Sequence, residues 1–342
     1  MRLWLVGLLA CATLLGPVGI RAAQAGTTAT ATATTIATLH GFTPVRAWNG
    51  VQAWTDYSAA DRRWHVVVRR AGHVSMPPAI PAGDSRLKVD VGPGPDGKPA
   101  LAFVSCTDTC RVVVSALDGS QQQTVPGSER ASSPTIWGSS VAWVRGSKTV
   151  LTSRLGSVGG LFLGGIPRRK CYRPFTGPRR CERPRGGTVD DLELHGTQLT
   201  LINSYALSQG VGNGTTEVRM QHVYGGPQRL VAAMNVGEGQ QTWIGPSWAK
   251  GKLFFYRSCP FGCQKAEGAY RYIPDSGAYA HAASNASISG FAMDDDARRA
   301  FEALGLFGDR ADSGGEVTTS LRLTDPLKFT STRAPIADPG GL

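Results

Sequence analysis

The chain has 342 residues, with 43 glycines, 21 prolines and a formal net charge of +11. That length suits two average domains or one large all-β domain, and a chain so dense in turn residues is a poor candidate for a helical bundle. Beyond the N-terminal segment no stretch approaches the ~18 unbroken apolar residues of a spanning helix, so the mature chain is expected to be soluble with no transmembrane segment.

Arg2 provides a short positive region, Leu3 to Ile20 an apolar region, and Ala23-Gln24-Ala25 a small-x-small cleavage signal. This pattern predicts a signal peptide over 1–25, cut after Ala25, and a secreted, extracytoplasmic protein. Gly16 and Pro17 interrupt the apolar run and no stop-transfer cluster follows, which argues against a retained anchor. Cys11 follows Leu8-Leu9-Ala10, as in a lipobox, but cutting there leaves barely the ~7 apolar residues such a signal needs. Loss of Arg2 and Arg21 leaves +9. Residues 26–40 are a Thr/Ala-rich tether with too little apolar bulk for a core and room for one strand near its end.

From residue 41 a hairpin pattern recurs, in which an apolar stretch meets a glycine turn and then an alternating aromatic strand. It appears around Gly50, Gly97, Gly138, Gly196 and Gly251, with a weaker sixth copy whose turn is Asp294 to Asp296. The anchors are 47, 41, 58, 55 and 44 residues apart, the length of a four-stranded propeller blade. Most copies are followed by another β-rich run, such as "RWHVVVRR" and "RVVVSAL". The expected fold is all-β, a single six-bladed β-propeller of four-stranded antiparallel blades over 41–330, with a tail at 331–342. Seven blades or paired β-sandwiches are the alternatives. One such sheet cannot cover both its apolar faces, whereas radial packing shields each with the next blade. Trp54, Phe103, Trp143, Leu201 and Phe255 hold equivalent places and are assigned to the cores between blades. "DDARRAFEALGLF", from Asp295, reads as a short helix carrying its acids at the N-terminus, or as a solvated turn.

At Pro95 to Phe103, "PDGKPALAF", the chain resembles the repeat of TolB-like propellers within the wider WD-type superfamily. Pro95, Asp96 and Gly97 make the turn, and Ala102 and Phe103 continue into a small-aromatic strand. "SPTIWGSSVAWVR" keeps Ser133-Pro134 but places Trp137-Gly138 at the turn. The resemblance implies the repeat architecture and brings no catalytic or partner-binding residue with it.

Six cysteines remain after the signal, grouped as Cys106 with Cys110, Cys171 with Cys181, and Cys259 with Cys263. Three-residue loops set Cys106 opposite Cys110 and Cys259 opposite Cys263 across hairpins, within reach of a disulfide. Zinc and thioredoxin-like sites favour two intervening residues instead of three, so local bridges are expected and no metal or cofactor.

Between Cys171 and Cys181 and on both sides lies the basic insertion 165–187. Arg168, Arg169, Lys170, Arg173, Arg179, Arg180, Arg183 and Arg185 are relieved by a single acid, Glu182. Pro167, Pro174, Pro178 and Pro184 exclude a helix, leaving a stapled loop. Tyr172 and Phe175 add aromatic surface, and together these ten residues form a candidate anion-binding finger. Its bland counterpart is a solvated loop that keeps the surface soluble.

No catalytic constellation emerges. "ADSGGE" at 311–316 holds the Asp-Ser-Gly-Gly of a serine protease, but the 32 residues from His281 to Ser313 cannot hold two barrels. "SWAK" at 247–250 reads as strand and turn, not the helix start its chemistry requires, and "GVGNG" at 210–214 opens no helix. The histidines lack ligand spacing, with His65 a strand-face residue. Asp190, Asp191 and Glu193 are candidate channel-facing carboxylates. The expected function is a monomeric, non-enzymatic binding or scaffold propeller whose partner is a protein or acidic cell-surface polymer, without specific nucleic-acid recognition. The alternatives are a carbohydrate-active hydrolase or lyase working at the central channel, and a purely structural surface module.

Overall fold

A computed structural model describes residues 32–172, 178–207, 214–236, 242–259, 267–284, 288–305 and 319–335. Those residues form six antiparallel blades around an axis and no helix, and none of them belongs to a helix long and apolar enough to cross a membrane. After β1 (Thr32–Leu39), the first blade is β2 (Arg46–Trp48), β3 (Val51–Ser58), β4 (Arg63–Arg70) and β5 (His73–Ser75). The second is β6 (Val89–Pro93), β7 (Pro99–Cys106), β8 (Cys110–Ala116) and β9 (Gln123–Thr124). The third is β10 (Ala131–Trp137), β11 (Ser140–Arg145), β12 (Thr149–Arg154) and β13 (Leu161–Phe162).

A small hairpin, β14 (Lys170–Tyr172) with β15 (Arg180–Glu182), precedes the fourth blade, which is β16 (Arg185–His195), β17 (Gln198–Ala206), β18 (Gly214–His222) and β19 (Arg229–Val236). The fifth holds β20 (Thr242–Ala249), β21 (Lys252–Ser258), β22 (Gly268–Ile273) and β23 (Ala278–Ala283). The sixth is β24 (Ile288–Met293), β25 (Ala300–Leu304) and β26 (Thr319–Asp325), completed on its outer edge by β1. Part of the Thr/Ala-rich stretch is therefore the strand that closes the ring. A last strand, β27 (Thr330–Thr332), adds to the outside of the fifth blade. The tail then reaches the fourth, where Ala233 N–H donates to Pro335 O at 3.0 Å.

The recurring glycines are the turns between the first two strands of five blades. Asn49-Gly50 and Lys250-Gly251 both carry positive φ at two successive residues (47° and 72°, 49° and 67°), the twist a two-residue hairpin needs. The sixth blade spends six residues, Asp294–Arg299, on the same connection, which is why its copy is weak. The helix expected after Asp294 is a strand instead. Phe301 and Ala303 are buried at the join to the first blade and Ala300 at the join to the fifth, and that packing overrides local helix propensity. The acids brace the turn: Asp294 pairs with Arg299, and Asp295 accepts from the N–H groups of Asn49 and Gly50 at 2.7 and 2.8 Å, tying the sixth blade to the first.

Six apolar clusters fill the six joins between blades. Trp54, Phe103, Trp143, Leu201 and Phe255 are each at most 1% exposed. Inner strands approach closely around the axis, so that a Cβ at Gly92 would lie 2.3 Å from Ile136 O, and only glycine fits there. A repeated device links these strands. Asp90, Thr135 and Ser247 each accept a main-chain N–H from the next inner strand, at Ile136, Leu194 and Met293, over 2.9 to 3.0 Å.

Cys106 and Cys110 face each other across the β7–β8 hairpin with Cα atoms 4.0 Å apart, and Cys171 and Cys181 do the same across β14–β15. Cys259 is disulfide-bonded, while Cys263 lies outside the described residues. Among the described residues no group of side chains has the arrangement of a metal site. Ser247 to Ala249 end strand β20 and Lys250 begins the turn, as the sequence predicts. His65 lies on β4 and meets Asp61 at 2.8 Å. "ADSGGE" and all of "GVGNG" but Gly214 lie outside the described residues.

Candidate functional site

The inner strands deliver charge to an otherwise apolar axis. Arg46 on β2 points into the ring, where its Nη2 donates to Asp191 Oδ1 and, at 3.1 Å, to Leu192 O. Its Nε lies 3.6 Å from both Asp90 Oδ1 on β6 and Glu193 Oε2 on β16. Irregular registers in β16 at 185–188 and 189–191 bend that strand and bring successive acids to the axis.

One guanidinium thus serves three carboxylates from two other blades. Burial works against the Arg46 charge, but Asp191, Glu193 and Asp90 outweigh it and raise its proton affinity. Burial pushes Glu193 well above the usual carboxylate range, helped by repulsion from Asp90 and Asp191 and opposed by Arg46. Asp90 is also raised by burial, against the pull of Arg46 and the Ile136 N–H. Burial thus favours the neutral form of Glu193 and Asp90, and the Arg46 charge opposes it.

Lys88 sits on the mouth side of this cluster. Its Nζ donates to Ser133 Oγ at 2.8 Å and to Asp190 O at 2.9 Å, and burial lowers its proton affinity despite Asp191 and Asp190 nearby. Burial raises Asp190, whose oxygens accept from the hydroxyls of Ser204 and Thr188. Above them opens a cavity of about 880 Å³, lined by Arg86, Lys88, Arg185, Asp190, Asp191 and Trp243 among others. At the other end of the inner strands, aromatic rings meet across the axis. Trp48 of the first blade lies 6.2 Å from Trp137 of the third, Trp137 is 4.2 Å from His195, and His195 stacks on Trp248 at 5.1 Å. Burial pushes His195 below its usual range.

The basic insertion is docked onto the fourth blade. Lys170 pairs with the fully buried Glu217, which also receives Arg219 Nε at 2.7 Å. Tyr172 is 4% exposed, packs with Tyr205 and Leu207, and places its hydroxyl 3.2 Å from Glu182. The exposed aromatic surface expected of Tyr172 is therefore absent: its ring has a core to fill, and Lys170 is an anchor. Arg168, Arg169, Arg179, Arg180, Arg183 and Arg185 are exposed, whereas Arg173 and Phe175 lie outside the described residues. Arg185 lines the mouth cavity, and Arg168 and Arg183 line a second groove of about 900 Å³ beside it.

Asp190 and Asp191 line the mouth cavity, and Glu193 lies against Arg46. Sequence reasoning missed Arg46, Lys88 and Asp90. Their signal is a charge alternating with buried valines and alanines in "VRAW" and "LKVDV", which is costly unless the charges meet partners.

No protein-family model and no curated protein matches the chain. Solved structures do. A protein of unknown function from Bacteroides thetaiotaomicron VPI-5482 aligns at a TM-score of 0.50 and 10% identity over 86% of this chain and 76% of that one. TolB from Acinetobacter baumannii aligns at 0.48 and 11% identity, over 84% of this chain and 66% of its own length. The β-propeller domain of the Trilobed protease from Pyrococcus furiosus aligns at 0.43 and 13% identity, over 86% and 99%. These are likenesses of fold. The shared feature is the β-propeller architecture alone.

Proposed function

We propose that this chain is an exported, monomeric, non-catalytic propeller that binds an acidic protein or acidic cell-surface polymer at its channel mouth. The observation that carries this reading is the set of six exposed arginines on and beside a disulfide-closed, core-anchored hairpin, three of which edge cavities at or next to the mouth. Holding cations on a rigid hairpin lowers the ordering cost of each contact with an anion. The local disulfides support export, because such bonds persist in oxidising compartments.

A hydrolase or lyase is the second reading, favoured by Asp190 and Asp191 at the cavity wall. Against it, Asp191 is held by Arg46, and Asp190 by two hydroxyls, so neither is poised as base or nucleophile. The deciding measurement is retention on a polyglutamate or heparin surface. Arg179→Ser with Arg180→Ser and Arg185→Ser should weaken binding about tenfold or more and flatten its salt dependence. Unchanged retention eliminates the finger. Activity on acidic polysaccharides that vanishes in Asp190→Asn would favour the enzyme.

A further inference from the structure

The third blade ends in an unusual edge. Val158, Leu161 and Phe162 are 94%, 47% and 60% exposed, three large apolar side chains within five residues. They sit in "VGGLFLGG", 158–165, where glycines on both sides of β13 leave no neighbouring side chains to cover them. Among the described residues β13 pairs with β12 alone, so no described strand covers its outer edge. Natural edges are blunted by charge, proline or shortness, and β13 uses only shortness. Surface apolar residues scattered singly need no explanation, but a contiguous group does.

Beside this edge runs the groove of about 900 Å³, whose lining combines the apolar Phe162, Leu163 and Pro167 with the cationic Lys148, Arg168 and Arg183. No carboxylate lines it among the described residues. That mixed lining suits an occupant that carries both apolar side chains and negative charge.

We propose that this groove docks an extended acidic peptide, its apolar residues against Phe162 and Pro167 and its carboxylates on Arg168 and Arg183. An acidic polysaccharide has no side chain for the apolar part of the lining, and a bilayer is flat where this surface is concave. An extended chain that alternates apolar and acidic residues presents both kinds of side chain to such a mixed lining. This assignment rests on the acidic-partner reading above and narrows it to protein.

The test uses the mature chain and fluorescent peptides, one alternating Glu and Phe, the other Glu and Ser, with polyglutamate and phosphatidylglycerol vesicles as further arms. The Glu-Phe peptide should bind at least about tenfold tighter than Glu-Ser, and Phe162→Asp should remove that advantage. Arg183→Glu should weaken both peptides, while Arg179→Ser with Arg180→Ser should leave the Glu-Phe preference intact. Phe162→Ser provides the same readout if Phe162→Asp does not fold, with far-UV circular dichroism as the check. Equal binding of the two peptides, or a Phe162→Asp variant that behaves like the parent, overturns the docking site while polyglutamate binding still stands for the acidic-partner reading. Phe162-dependent binding to vesicles without any peptide preference would assign the edge to a membrane and overturn it too. Failure of every anionic probe sinks both.

Discussion

Arg46 of the first blade donates a hydrogen bond to Asp191 of the fourth, across the axis of the ring. The second and third blades lie between them in sequence, so this contact exists only once the ring has closed. With Asp90 and Glu193 beside it, the pair makes a buried hub that joins three blades where no apolar side chain would satisfy the inner strands' acids.

Removing the cation should be costly. Arg46→Met leaves three buried carboxylates without their partner, and loss of one member of such a network destabilises by about 3–5 kcal/mol. Glu193→Gln should cost less than about 1 kcal/mol, because burial already favours the neutral side chain there. Urea unfolding of both variants checks the contrast.

The two buried glutamates should give opposite pH dependences. Glu193 has a folded-state affinity raised above its ordinary 4.5, so the folded chain binds the extra proton and stability falls as pH rises from that value through the folded one. Glu217 is lowered from 4.5, since Arg219 and Lys170 overcome its burial penalty. Its contribution is present above 4.5 and is lost as pH falls through the folded value. Glu193→Gln should therefore gain on the parent as pH rises above 4.5, whereas Lys170→Met should lose most where Glu217 is ionised. Stability curves at several pH values decide both.

The Cys171–Cys181 bridge closes a short loop, worth about 2–3 kcal/mol in the chain-entropy model. Because the hairpin lies outside the six cores, Cys171→Ser with Cys181→Ser should lower the melting temperature by only a few degrees while weakening anion binding about tenfold. Equal retention on polyglutamate before and after the change would separate the staple from binding.

Truncation at residue 41 should fail. Deleting β1 leaves β26 as an open edge in the last blade and uncovers Leu39's place in the core with Trp54 and Phe301. A chain beginning at residue 41 is expected to aggregate on purification, measured by size-exclusion chromatography, while one beginning at residue 26 remains monomeric.

By itself the sequence determined what is local and periodic: the glycine turns at Gly50, Gly97, Gly138, Gly196 and Gly251, the large apolar residue that follows each, and the cysteines opposed across hairpins. Turn geometry and strand alternation act over a few residues, so they are written in neighbouring letters. The six-fold ring followed, since a blade with two apolar faces needs a neighbour on each side. Tertiary structure alone decided the rest. Strand β25 forms where helix-favouring residues meet a core, and β1 closes a blade whose other strands lie about three hundred residues away. Lys170 and Tyr172 turned inward because Glu217 and Tyr205 waited on another strand, and Arg46, Lys88 and Asp90 gained partners only when distant inner strands converged. Charges in apolar strands are marked in the sequence as a cost, but the partner that offsets it is a fact of three dimensions.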